Sequence, residues 1–152
     1  MRSPSISANP EGFTLIELTV TIALSALVAG AGIGLGGDAL TFQLRRSEEA
    51  TVIEALRSAR SEAMHDVGNA DHGVHYDPVA RRFTLFDGDA FDPDGASNVD
   101  FQSNGSVEIA WPPRDPVFHQ IDGAAEPAVI TLSRGARSTI ITVGHEGRIN
   151  AR

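Results

Sequence analysis

Residues 11–24 read EGFTLIELTVTIAL, and the reading of this stretch decides the fold. A carboxylate, Glu17, stands near the start of a segment otherwise composed for apolar surroundings. From Phe13 to about Leu35 the chain is almost continuously apolar or small. As a helix rising 1.5 Å per residue, that run is long enough to cross a hydrocarbon layer of about 30 Å, and no other segment of the sequence is. A charged side chain within such a helix costs about 2.5–3.5 kcal/mol on insertion scales and is rare without a partner. No Arg or His lies inside the run to serve as one.

Upstream, residues 1–12, MRSPSISANPEG, are polar and rich in Ser, Pro and Asn, and read as a leader. A cut between Gly12 and Phe13 gives Glu17 a purpose. The new α-amine is positive, apolar residues begin at once, and Glu17 lies about one helical turn in. Glu17 of one subunit then pairs with the Phe13 amine of another, which rewards side-by-side assembly of these helices in one axial register. An ordinary secretory signal fits less well, because Arg2 is far from the apolar run, the acid sits inside it and the run is longer than typical. A plain uncleaved anchor leaves Glu17 unexplained.

Downstream, AGAGIGLGG (residues 29–37) carries five glycines, each costing about 1 kcal/mol of helix propensity relative to Ala. Such a helix holds in lipid, where the backbone must satisfy itself, and softens in water; close packing through small residues accounts for the glycines equally well. Asp38 stands as an N-cap for a following amphipathic stretch to residue 67, with Leu40, Leu44, Val52, Ile53, Leu56, Ala59, Ala63 and Val67 at mostly helical spacing. Gly68 marks its end. Beyond it the period changes from 3.6 to 2. HGVHY (72–76) and RFTLF (82–86) form a hairpin around Asp77 and Pro78; SVEIAW (106–111) is a further strand; AVITLS (128–133), STIITV (138–143) and RIN (148–150) form a meander. The Gly-, Pro- and Asp-rich segments 87–100 and 112–127 read as loops. The fold class expected is α+β: a leader (1–12), a long N-terminal helix (13–67) whose first half (13–36) is transmembrane and whose second (38–67) is amphipathic, then a globular head (68–152) built as an antiparallel β-sheet or sandwich.

Composition limits the chemistry. The net charge of −8 argues against a surface made to hold nucleic acid or anionic lipid. Removal of the leader leaves that charge unchanged, since Arg2 and Glu11 depart together. All twelve basic residues are arginines, for which we have no physical account. The absence of cysteine excludes disulfide frameworks, thiolate zinc sites and cysteine nucleophiles.

Gly12-Phe13-Thr14-Leu15-Ile16-Glu17-Leu18 resembles the prepilin cleavage and methylation motif of type IV pilins and type II secretion pseudopilins. The resemblance implies that a prepilin peptidase cuts after Gly12 and methylates the Phe13 amine, and that Glu17 guides assembly with other pilins into a filament by way of a membrane platform. It also implies a lollipop shape in the cytoplasmic (inner) membrane, N-terminus inside and β-rich head outside. ALRSARSEAM (55–64) resembles the corresponding stretch of the GspH/FimT family of minor pseudopilins and minor pilins, in which a Gly-Arg turn closes the head as Gly147-Arg148-Ile149 does here. FimT-like members are associated with DNA uptake, and Arg148 and Arg152 are the residues placed to touch phosphate; the tail GRINAR lacks a denser basic cluster, and the acidity of the head opposes such binding.

Other chemistry is weaker. Asp87, Asp89, Asp92, Asp94 and Asp100 suit Ca²⁺ by type, but counting Gly95 as the sixth loop position puts Ala90 first and Phe101 twelfth, which is no EF-hand; a solvated acidic loop is expected. His72 and His75, three apart in a strand, face opposite ways, and His65, His119 and His145 are scattered, so no metal centre is expected. Ser106, His119 and Asp115 lack a nucleophile-elbow pattern. Trp111, closing a strand before Pro112 and Pro113, reads as half core. The expectation is a structural protein with no cofactor and no enzymatic activity.

Overall fold

The computed structural model describes residues 13–152, with residues 31–39 described in their backbone alone. The chain divides between Leu40 and Thr41 into two compact units. Helix α1 runs Leu15–Met64. It passes through the glycines of residues 29–37 and through Asp38 without interruption, so Asp38 caps no second helix. With no proline between the two stretches, adding one bond per residue is easier than nucleating a helix anew. The helix ends four residues before Gly68, in a left-handed Asp66 (φ 55°) and a 3₁₀ turn, Val67–Asn69, that contains Gly68 at φ 67°.

In the second unit the head is antiparallel throughout. β1 (His72–Asp77), β2 (Arg82–Asp87), β3 (Val99–Gln102) and β5 (Val117–Phe118) form one sheet in the order β3-β2-β1-β5. β4 (Glu108–Ala110), β6 (Ala128–Arg134), β7 (Arg137–Val143) and β8 (Ile149–Ala151) form another, ordered β4-β6-β7-β8. The β1–β2 hairpin turns on Asp77, whose Oδ1 accepts the N–H groups of Val79 (2.8 Å) and Ala80 (2.9 Å), a side-chain mimic of a backbone turn. β6 and β7 pair from Ala128↔Val143 to Arg134↔Arg137, leaving Gly135 at φ 60° as the first of two turn residues.

Two strands lie where loops were expected. β5 falls within 112–127, and Val117 and Phe118 pair with Gly73 and His72; a two-residue strand carries no readable period. β3 begins inside 87–100, where Asp100 faces Thr84 across the sheet and accepts both the Thr84 hydroxyl (2.7 Å) and Arg82 Nη1 (2.8 Å).

One core joins helix and sheets. Along α1, Val52, Ala55, Leu56, Ala59 and Ala63 are buried at spacings of three and four, the stripe a helix turns toward its core. Val74, Phe83, Leu85 and Phe118 meet it from the first sheet, and Ile130, Leu132, Ile141 and Val143 from the second. Leu40 and Val67, expected on the same stripe, are exposed. Three of the five stripe residues are alanines, which lets the backbone approach both sheets. Trp111 is partly buried beside Tyr76 and Phe83, with ring centroids 5.7 Å from each, and its Nε1–H donates to Asp115 Oδ1 at 2.9 Å. Polar ties complete the attachment. Glu48, fully buried, accepts the Asn104 N–H at 2.8 Å; Asn104 Nδ2 donates to the Leu44 carbonyl at 3.0 Å; Arg45 Nη1 donates to Thr139 Oγ1 at 2.6 Å.

The Gly147 turn is the tightest approach in the head. Gly147 sits at φ 67°, and a Cβ there would stand 1.9 Å from the Gly123 carbonyl oxygen and 2.9 Å from Arg60 Nε. Gly135 has nearly the same φ, 60°, with nothing within 4 Å. Gly135→Ala is therefore expected to lower stability by about 1 kcal/mol through backbone strain alone, and Gly147→Ala by about 3 kcal/mol or more, because a backbone atom must also move. Denaturant midpoints of the two variants would separate these terms; equal losses would refute the steric argument.

Candidate functional site

The helix start explains itself from its first turn. Thr14 Oγ1 accepts the Glu17 N–H at 3.3 Å, so Thr14 is the N-cap and Glu17 the third helical residue. A carboxylate there also faces the positive end of the helix dipole. Thr14-x-x-Glu17 is the local signal from which this cap is legible. The cap uses the backbone of Glu17, so its carboxylate remains exposed and enters no ion pair among the described residues. Gly12 and the leader lie outside the described residues.

Every large apolar side chain from Phe13 to Val28 is more than half exposed, from 52% at Val20 to 87% at Phe13. These residues point to all sides of the helix, and a helix apolar all round is one built to be covered. The hydroxyls among them need no water. Thr19 Oγ1 donates to the Ile16 carbonyl (2.9 Å), Thr21 to Glu17 (2.7 Å) and Ser25 to Thr21 (2.7 Å), which satisfies these three hydroxyls within the helix. Among the described residues no helix is long and apolar enough to cross a membrane. The side chains of residues 31–36 of the expected span lie outside those described.

In the head, the residues considered for other chemistry are placed apart. Arg148 lines a groove of about 340 Å³ with Arg57, Arg60, Met64 and His65. Its Nη2 lies 4.0 Å from Glu146 Oε2, while Arg60 Nη2 donates to the Glu146 carbonyl at 3.2 Å. Arg152 lines no part of that groove; its backbone exchanges hydrogen bonds with Ile140. The aspartates of residues 87–100 do not converge on one centre. Asp87 faces His72, Asp92 Oδ1 accepts the Asp94 N–H, and Asp100 is held by Arg82 and Thr84. Ser106, His119 and Asp115 form no triad: Asp115 binds His75 Nδ1 (2.8 Å) and Trp111, and His119 Nδ1 lies 3.0 Å from Asp71 Oδ2. His72, fully buried, has Asp87 and Glu62 as neighbours, a grouping that sequence spacing does not reveal.

The His119–Asp71 pair should titrate as a unit. Its hydrogen bond to Asp71 raises the His119 pKa above the ordinary 6.5, against the opposing effect of burial. At Asp71 burial pushes the carboxyl up, but the Gln120 N–H (2.7 Å) and the His119 ring together outweigh it and hold the value below 3.8. The stabilisation from His119 is complete below about pH 6.5 and is lost as pH rises through its higher folded value. That from Asp71 is complete above about pH 3.8 and is lost as pH falls through its lower folded value. An NMR titration of the His119 ring should give a raised midpoint that Asp71→Asn returns to the ordinary range; a midpoint indifferent to Asp71 would refute the pairing.

Comparison with known proteins agrees with this geometry. Residues 8–33 match the family described as the prokaryotic N-terminal methylation motif. A comparison with curated protein sequences returns no match. Among solved structures, the chain is similar to the minor pseudopilin EpsH from the type 2 secretion system of Vibrio cholerae, at 14% identity and a TM-score of 0.50, over 70% of this chain and 93% of that one. At that identity the likeness speaks for the fold, an N-terminal helix followed by antiparallel sheets. The chain thus carries a prokaryotic N-terminal methylation motif around the start of its long helix and an α+β fold similar to that of a minor pseudopilin.

Proposed function

We propose that the chain is a minor pseudopilin or minor pilin of the GspH/FimT kind. A prepilin peptidase removes residues 1–12, cutting after Gly12, and methylates the Phe13 amine. The apolar start of α1 is held in the inner membrane by lipid, N-terminus inside and head outside, until an assembly platform moves it into a type II secretion pseudopilus or type IV pilus. The observation that carries this reading is the all-round exposure of apolar side chains from Phe13 to Val28, with an exposed carboxylate one turn in. Such a surface requires a cover, and neighbouring helices of the same kind supply one. Pairing Glu17 with the Phe13 amine of another subunit then favours one axial register, since a slip of one turn would leave both charges unpaired in apolar surroundings. The role is structural and needs neither cofactor nor catalytic group.

A second reading, DNA capture by a FimT-like minor pilin, draws on the groove shared by Arg57, Arg60 and Arg148. It is the weaker one. Arg60 is engaged with the Glu146 carbonyl, Arg148 lies beside Glu146, and the net charge of −8 repels phosphate.

Intact mass and N-terminal sequencing of the membrane-extracted protein, expressed with and without its prepilin peptidase, should give an N-terminus at Phe13 with one added methyl group only when the peptidase is present. A chain that still begins at Met1, or one cut near Gly30, would overturn the reading. Glu17→Val should leave membrane insertion intact and reduce filament incorporation, because an apolar side chain keeps the burial and removes the register pair. Undiminished incorporation would refute the register argument.

A further inference from the structure

His72 opens β1 with its ring fully buried. Nε2 lies 2.8 Å from the Val67 carbonyl oxygen, and because a carbonyl only accepts, Nε2 carries the hydrogen. In the neutral ring Nδ1 is then a bare lone pair, and it has no hydrogen-bond partner. What faces it are two carboxylate oxygens, Asp87 Oδ1 at 3.0 Å and Glu62 Oε2 at 3.6 Å. One ligand atom from each of Glu62, His72 and Asp87 lies within 4.8 Å of the other two. A lone pair and two anions converging on one point repel unless a cation sits among them.

We propose that Glu62, His72 and Asp87 bind a divalent transition-metal ion of the zinc class, which fastens the last turn of α1 to the adjoining ends of β1 and β2. Ligands about 2.0–2.2 Å from a tetrahedral ion stand roughly 3.3 Å apart, and the two measured separations bracket that value. A proton is a poorer occupant. Asp87 Oδ1 is close to Nδ1 but off the direction that a hydrogen bond requires, whereas an ion between the two needs no such alignment. The Val67 carbonyl fixes the tautomer and the ring orientation in the way a carbonyl behind a ligating histidine does. Neutral imidazole and two carboxylates offset a 2+ charge, and the nitrogen donor favours zinc-like ions over calcium or magnesium. The carboxylates, 37% and 32% exposed, leave an entry path and room for water as fourth ligand. The three donors come from separate elements, and the site does not depend on the filament reading.

The test is zinc titration of the full chain in detergent, stripped of metal beforehand, against a chromophoric competitor. One equivalent should bind and raise the thermal midpoint. Asp87→Asn and Glu62→Gln, which keep side-chain size, should each weaken zinc binding at least tenfold, and His119→Ala should leave it unchanged. Failure to bind one equivalent, or binding that survives both carboxylate variants or disappears with His119→Ala, would overturn the proposal. Should the carboxylate variants fail to fold, imidazole ¹⁵N spectra of the unaltered chain decide. Zinc should shift His72 Nδ1, and a response confined to the other histidines would overturn the assignment equally.

Discussion

Burial of one stripe of α1, from Glu48 through Val52, Ala55, Leu56 and Ala59 to Ala63, is the constraint on which the head depends. Each sheet has four strands, and the outer ones, β3, β4, β5 and β8, are two to four residues long. Sheets so narrow have little stability of their own and need a helix to cover their apolar faces. The alanines bring the helix backbone close to both, so that Phe83, Phe118, Ile130 and Leu132 reach full burial, each large side chain contributing about 1.5–3 kcal/mol. Glu48 belongs to the same arrangement. A buried carboxylate needs donors, and the Asn104 N–H binds this one, tying the segment between β3 and β4 to the helix.

The opposite condition governs the first half of the helix. Up to Val28 the hydroxyls of Thr19, Thr21 and Ser25 are satisfied by carbonyls of the same helix, and the large apolar side chains are uncovered. Glu17 reconciles two demands there. Its backbone N–H completes the cap on Thr14, while its side chain takes no part in that cap and stays available for an intermolecular partner. A residue that seemed out of place by hydropathy is therefore well placed by helix-end physics.

Acidity in the head is organised by pairing more than by a loop. Asp115 and Asp71 each hydrogen-bond a histidine, His75 and His119 respectively, and Asp100 serves Arg82 and Thr84 across a strand pair. Each of these pairs joins residues distant in sequence. They spread the negative charge over the head as local cross-ties between elements.

The sequence by itself determined the helix, its apolar first half, the change of period after Gly68 and the β1–β2 and β6–β7 hairpins. All of these are local patterns, in which hydrophobic spacing and turn residues act on neighbours along the chain. The order of the strands, the two-residue strand β5, the edge strand β3 and the dispersal of the aspartates were decided only by the tertiary structure. Val117 and Phe118 are too few to show a period, and it is Gly73 and His72, more than forty residues earlier, that make them a strand. His72 shows the difference most plainly. Three residues from His75, it stands on the opposite face of the strand, because successive residues point to opposite faces. Its actual neighbours, Glu62 and Asp87, come from a helix end and another strand, and side chains from separate elements are brought together by packing, which no local pattern encodes.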